Sequence, residues 1–319
     1  MAILPDNIGQ TTTSLKCGGV AIRKLAAHRY RHGKWTSTSH ASSFSEPLVT
    51  SFKVLCWNVG YRYEEPYEHH WAKSFVKELK RRLGPSSSAS AEGAKTAPCC
   101  VVLLQEVQRD ALHALYSDDW IRQTMIAVPV PPSISDSSGS LGATVQNVTL
   151  VSRTIPVSQA LHVSFFNSQM ARHAVVVDLK FYAPADQQSP KNQQKQMSSR
   201  LRNVRIINVQ LESFKNGGGA RDDQTKFLLS ELSNDHSFYG VLLGVDVKDV
   251  PADDAVISPN QDERTSRVVV QEPVSRGNET LTSKSLIVLR KRLGPSETPM
   301  EGVRVAKSRS GIIGNIHLT

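Results

Sequence analysis

Several protein classes are excluded by what this chain has little of. Cysteine is scarce, with 4 in 319 residues. Cys17, Cys56, Cys99 and Cys100 have neither the spacing of a zinc site nor the density of a disulfide framework. That scarcity fits a reducing compartment and an intracellular protein, nuclear or cytoplasmic sooner than mitochondrial. No stretch approaches the roughly 18 successive apolar residues that a membrane-crossing helix requires. The N-terminus also lacks the apolar core of a secretory signal. Acid is absent from Asn7 to Ser45, where Lys16, Arg23, Lys24, Arg29, Arg31 and Lys34 lie among serines, threonines and histidines. A mitochondrial presequence has this character, but residues 1–50 read more simply as a basic, poorly ordered segment of the kind that touches nucleic acid.

What remains is globular in composition: 39% of residues are hydrophobic and 21% charged, which leaves ample apolar material for a core. Lysine and arginine number 38 against 29 acids, a formal charge of +9. A field of that sign favours polyanionic partners, nucleic acid above all, and says nothing about fold. Arg81, Arg82 and the run Arg290–Arg292 are candidates for such a basic surface, although charge runs are more often solvated faces. No protein partner can be named from the sequence.

Residues 51–319 read as the folded domain, with polar insertions near 84–98, 183–200 and 251–278. Phe52–Val59 is β-branched and aromatic enough for a buried strand, ended by Gly60. From Pro66 to Leu83 the residues Trp71, Phe75, Val76, Leu79 and Leu83 form a helical stripe opposite a basic face. Cys99–Leu104 is a second strand, and a short helix follows over Asp110–Tyr116. Strand-like runs at Val145–Val151, Leu161–Phe166, His173–Phe181 and Val204–Leu211 have little helix between them, which predicts antiparallel pairing. A helix over Asp222–Leu232, a strand at Val241–Gly244 and β-like runs at Ser285–Leu289 and Gly311–Leu318 complete the pattern. Two packed sheets with helices outside follow: a four-layer α/β/β/α sandwich of mainly antiparallel sheets.

Polar residues stand where buried strands emerge, the usual place for ligands in α/β sheets. Asn58 follows the first strand and Gln105-Glu106 the second. Taken singly, each has a plainer reading. Asn58 can satisfy the backbone near Gly60 as a turn residue, and Glu106 can be a solvated carboxylate at a helix start.

Their order along the chain carries more. Trp57-Asn58-Val59, Leu104-Gln105-Glu106-Val107, Val148–Arg153, Met170-Ala171-Arg172 and Asn208–Ser213, with Arg221 and Gln224 opening the next helix, resemble the endonuclease/exonuclease/phosphatase superfamily. Within it they resemble the tyrosyl-DNA phosphodiesterase 2 branch, over Phe52 to about Asp249. The resemblance implies a DNase-I-like fold, a magnesium-dependent phosphodiester hydrolase ancestry with manganese able to substitute, and a connection to DNA repair. It implies Glu106 as metal ligand, Asn58, Gln210 and Asp246 at the catalytic positions, and Arg172 and Ser213 toward the substrate. Such chemistry needs a hard cation and positioned acid/base groups around the phosphoryl oxygens.

The sequence departs from that pattern in three places. The family's histidine before L-E-S is Gln210, which donates a hydrogen bond but delivers no proton. The G-D-x-N stretch reads Gly244-Val-Asp246-Val-Lys248, so the asparagine is lost in either alignment. The terminal S-D-H becomes Lys307-Ser308-Arg309, and His317 in the following strand is offset and reads as an ordinary surface or core histidine. The expectation is therefore a degraded hydrolase, a pseudoenzyme with little or no activity and then no cofactor. The alternative is an active metal-dependent phosphodiesterase in which Asp246, Asp249, Asp253 or Asp254 has taken over a ligand role beside Glu106.

Overall fold

The computed structural model describes residues 11–15, 18–38, 51–60, 69–83, 99–128, 145–182, 201–212, 217–232, 238, 240–248, 265–271, 283–292, 304–308 and 311–317. The strands are β1 (Thr11–Leu15), β2 (Gly18–Leu25), β3 (His28–Arg31), β4 (Lys34–Ser37), β5 (Ser51–Asn58), β6 (Cys100–Gln108), β7 (Met125–Val128) and β8 (Val145–Ser152). They continue with β9 (Val157–Phe165), β10 (His173–Tyr182), β11 (Leu201–Gln210), β12 (Gly240–Lys248), β13 (Thr265–Gln271), β14 (Ser283–Arg292), β15 (Arg304–Ser308) and β16 (Gly311–His317). The helices are α1 (His69–Leu83), α2 (Arg109–Ser117), α3 (Asp119–Thr124) and α4 (Gly218–Phe227), the last continued by a π-helical turn at Leu228–Leu232.

Two eight-stranded sheets form, ordered β1-β2-β9-β10-β11-β12-β14-β13 and β15-β16-β5-β6-β8-β7-β3-β4. Most neighbours are antiparallel, as the turn-separated runs predict. The pairs β5–β6 and β11–β12 are parallel, because a helix lies between the two strands of each and carries the chain back to the starting end.

Three apolar layers hold the sandwich. Between the sheets lie Val54, Cys56, Val101, Leu103, Val175, Val177, Ile206 and Leu242. Outside the second sheet, Phe75, Val76, Leu79 and Leu83 of α1 meet Leu55, Val102 and Leu104, joined by Leu112 and Leu115 of α2. Outside the first sheet, Phe227, Leu228 and Leu232 cover Ile207, Val209, Val241 and Leu243. The alternation along β11 and β12 assigns each residue its layer. This is the α/β/β/α arrangement expected from the sequence.

The N-terminal segment differs from its reading as a poorly ordered basic tail. β2 pairs with β9, matching Val20 with Phe165 and Leu25 with Ala160, while β3 pairs with β7 in the other sheet. Trp35 packs edge-on against Tyr30 at 5.7 Å and Tyr116 at 5.4 Å. Arg153 donates to the Tyr30 carbonyl at 2.8 Å, and Arg29 to the Arg153 carbonyl at 3.2 Å. Composition misleads here because the ladder comes from partners far along the chain, which overrides weak local propensity.

The basic surface expected at Arg81 and Arg82 is also altered. Both pair with Glu78, at 2.6 and 2.8 Å, and Arg82 lies 4.9 Å over the Trp57 ring. Hydrogen bonding from Arg81 holds the Glu78 carboxyl down at about 2. Arg290–Arg292 belong to β14, and their side chains fall outside the described residues.

Gly244 marks the closest approach of the sheets. A Cβ there would overlap Leu103 Cδ1 and lie 3.1 Å from Cys56 Sγ. Gly244→Ala is expected to destabilise the fold by about 1–3 kcal/mol through overpacking, read as a lower denaturant midpoint at unchanged slope.

Candidate functional site

The inner faces of the sheets turn from apolar to polar toward one end, the end at which β5, β6, β11 and β12 all finish. Along β11, Val204 and Ile206 belong to the inter-sheet core, and two and four residues further on the same face carries Asn208 and Gln210. On the facing sheet the β6–β8 ladder shifts register between Leu104 and Val107, and Glu106 adopts φ 53. A non-glycine residue in that left-handed region costs about 1–2 kcal/mol. The carbonyls of Leu104 and Val148 lie beside this bulge. Asn208 Nδ2 reaches across the sandwich to both, at 3.2 and 3.0 Å, and to Thr149 Oγ1 at 3.3 Å. Its Oδ1 accepts from Gln105 Nε2 at 2.7 Å. A further bridge between sheets runs from Asn147 Nδ2 to the His173 carbonyl at 2.8 Å.

At the rim this ladder becomes a charged chain. Gln210 Nε2 donates to Glu106 Oε1, and Gln210 Oε1 accepts from Arg172 Nη1. Glu106 is only 4% exposed and Arg172 is also buried. Glu106 is thus a buried bulge residue, which displaces its plainer reading as a solvated helix-start carboxylate. Arg172 likewise lies inside, with Nη2 at 3.1 Å from Met170 Sδ.

Asn58 ends β5 directly opposite Gln105. Its Oδ1 accepts from the Gly60 N–H at 2.7 Å, the turn role that chemistry allows it. Asp246 occupies the register position across from Gln210 on β12. Ser308 pairs with Gly311, and Ile312 with Cys56, so the β15–β16 turn reaches the Asn58 end of β5. Ser213, Asp249, Asp253, Asp254 and Arg309 lie outside the described residues, as do the side chains of Asp246, Ser308 and His317. The fold therefore brings Asn58, Glu106, Gln210 and Arg172 to one end, together with the backbone of Asp246.

Sequence reasoning missed the support around them. Gln105 and Asn208 are fully buried amides, and the alternation of Asn208 and Gln210 after Val204 and Ile206 was the available signal. Glu212 accepts from Ser168 Oγ at 2.8 Å and Met170 N at 3.3 Å, clamping the turn that carries Arg172. Gln224 Oε1 in turn accepts from the Glu212 N–H at 2.9 Å, and Arg221 Nη1 donates to the Glu212 carbonyl at 3.2 Å. His162 and His173 stack at 4.9 Å between ring centres. Burial, then His173 and Arg23, pull His162 down to about 3; burial also lowers His173, with Arg172 and Arg23 adding to it against the Ala171 carbonyl.

The donor set was tested for a divalent cation. Among the described residues no three His, Cys, Asp or Glu side chains gather. Glu106 Oε1 already receives an amide hydrogen, and the next group along is a guanidinium. Magnesium seeks one or two carboxylates completed by water in an octahedron. The described groups offer one carboxylate, Glu106, and it is already engaged by Gln210.

No protein-family model and no curated protein matches this sequence. Solved structures do resemble the fold. A D. rerio tyrosyl-DNA phosphodiesterase 2 (TDP2) humanized by 14 mutations is 12% identical with a TM-score of 0.52, over 84% of this chain and 99% of that one. D. rerio TDP2 complexed with a single-strand DNA product is 13% identical with a TM-score of 0.51, over 84% and 99%. The likeness is one of fold: this chain shares the fold of those TDP2 structures. No helix of the described residues is long and apolar enough to cross a membrane.

Asn208→Leu removes the donor to two buried carbonyls, each costing about 1–3 kcal/mol when unmet. We expect a loss of roughly 3 kcal/mol, measured by urea unfolding. The histidine pair predicts a pH effect with a defined sign. Both folded values lie below the ordinary 6.5, so the unfolded chain binds more protons in acid. The pair's contribution is complete above pH 6.5 and is lost as pH falls toward 3. Thermal unfolding from pH 8 to 5 should show a declining midpoint, and His162→Gln should flatten the decline.

Proposed function

We propose that this chain is a TDP2-like member of the endonuclease/exonuclease/phosphatase superfamily that recognises nucleic acid and hydrolyses phosphodiesters weakly or not at all. The observation that carries this reading is the Glu106–Gln210–Arg172 chain. Where the resemblance places a histidine, Gln210 spends one amide hydrogen on the acid and its oxygen on the base. An amide has no proton to deliver and no charge to lend.

Magnitudes support the inactive reading. A general acid or base contributes about 10²–10⁴ in rate, and one preorganised donor to the transition state about 10²–10³. Gln210, either Val247 or Lys248 according to the alignment, and the pair Ser308-Arg309 replace groups of both kinds in the family's pattern. Residues acting as a unit do not multiply their effects, yet one such factor is disabling.

Binding survives these losses because phosphate recognition needs only positive charge and hydrogen-bond donors. The +9 balance supplies the long-range attraction. Arg172 and Ser213 are the residues that the resemblance turns toward the strand. The single-strand DNA product held by the D. rerio relative supports the same choice of ligand.

A second reading is favoured by one observation: Asp246 lies across from Gln210, where a new carboxylate could serve beside Glu106. A 5′-phosphotyrosyl oligonucleotide incubated with magnesium separates the two. We expect no turnover above that of Glu106→Ala, while a single-stranded oligonucleotide binds with affinity falling steeply with salt. Turnover that Glu106→Ala and Asp246→Ala each abolish would establish the second reading and end the first.

A further inference from the structure

The end of the sandwich opposite the candidate site gathers positive charge. Arg153 directly follows Ser152, the last residue of β8, and Ser152 Oγ accepts at 3.2 Å from the N–H of Cys100, where β6 begins. Glu106 lies toward the other end of that strand. Arg29 and Arg31, two apart on β3, share a face. Arg29 Nη2 reaches the Arg153 carbonyl at 3.2 Å. Across the β3–β4 hairpin Arg31 stands directly opposite Lys34, a like-charged pair that works against the hairpin. No acid occurs in the sequence from Asn7 to Ser45 to offset it. Among the described residues, no carboxylate pairs with Arg31, Lys34 or Arg153. The neighbouring Arg122 reaches Asp119 at 3.8 Å, a side chain left 86% exposed. Burial, then Arg29 and Arg31, pull the Arg153 guanidinium below its ordinary value.

These charges are held in place. Arg153 Nη2 donates to the Tyr30 carbonyl at 2.8 Å and to the Arg122 carbonyl, while its Nε is buried with no partner. Carbonyls fix a guanidinium without cancelling its charge. Arg122 braces Tyr30 in turn, its Cζ 4.5 Å over the ring. The two-residue turn of the hairpin, with His32 at φ 51 and Gly33 at φ 79, sets where exposed Arg31 stands. A concentration of like charge kept together by the fold lacks only its counter-ion.

We propose that Arg29, Arg31 and Arg153, with Lys34 at the edge, form a binding site for the dianion of a phosphate group. The planar fork of a guanidinium matches phosphate oxygens. A phosphate monoester brings a charge of about −1.5 to −2 and three strong acceptor oxygens, enough to serve β3 and the end of β8 at once. A carboxylate brings a single charge and two oxygens, and leaves more of the cluster uncompensated. Inorganic phosphate and the terminal phosphate of a nucleic-acid strand supply the same chemistry. The site lies away from Glu106 and Gln210 and does not depend on the function proposed for them.

Isothermal titration of the full chain with inorganic phosphate, at an ionic strength held constant with chloride, tests this. We expect saturable binding for which sulfate competes and acetate does not. Arg31→Gln should weaken it roughly tenfold or more, the loss of one charge-assisted contact. Arg31→Lys, which keeps the charge without the fork, should weaken it less. Lys77→Gln, the same change of charge on α1, should bind phosphate as the wild type does. Arg31 makes no side-chain hydrogen bond among the described residues, so the phosphate-free unfolding midpoint of Arg31→Gln should be no lower than that of wild type. Oligonucleotides ending in a 5′-phosphate or a 5′-hydroxyl separate the sources. Displacement of inorganic phosphate by the phosphorylated strand alone assigns the site to a strand end, and displacement by neither assigns it to the free ion; both keep the site. Equal displacement by the two would put a backbone diester there and overturn the dianion. No saturable phosphate binding, or equal affinity in wild type and Arg31→Gln, would remove the site and leave the nucleic-acid reading as it stands.

Discussion

The carbonyls of Leu104 and Val148 must find donors in a place where water does not reach. They stand beside the bulge that carries Glu106 to the rim. The donor comes from the opposite sheet as Asn208, which is fixed in turn by Gln105. A buried network of this kind rigidifies when every member is satisfied and is costly when one is missing. The separation of the two sheets, the position of Glu106 and the reach of Gln210 are all set by this crossing. The rim chemistry is built on top of it.

Gln210 makes the rim insensitive in a way a histidine would not be. Its amide joins a carboxylate to a guanidinium without ionising, so the chain holds its form wherever Glu106 and Arg172 keep their charges. An arrangement of alternating donor and acceptor is a good brace. It is a poor apparatus for moving protons, which requires a group whose two protonation states are both accessible near neutral pH.

Much of the fold was legible because its strands are strongly apolar. Cys99–Leu104 and His173–Phe181 announce buried strands, and Phe75, Val76, Leu79 and Leu83 announce a helix face. Asn58 and Glu106 drew notice because polar residues at the ends of such runs are conspicuous, and Gln210 because of the resemblance. The N-terminal strands were not, since β2 opens on two glycines, carries Arg23 and Lys24 side by side and borrows its order from β9. The surroundings of Arg172 and Arg82 were hidden for a related reason. A guanidinium reads as solvated in sequence, and only the fold reveals that Gln210 or Glu78 and Trp57 stand ready to receive it. Parallel pairing of β11 with β12 was hidden because the helix between them follows a run of otherwise antiparallel strands.

The short stretch from Gly18 to Ser37 contributes β2 to one sheet and β3–β4 to the other, crossing over at Ala26-Ala27. Its β2 partner strand begins at Val157, well over a hundred residues later in translation. During synthesis β2 therefore emerges before β9 and waits, paired only with β1, until most of the sandwich has left the ribosome. Such distant closure makes for slow maturation and a long interval of vulnerability to mispairing. Its basic, acid-free composition repels like copies through that interval, so a charge pattern that reads as a mere tail is also a safeguard for the nascent chain.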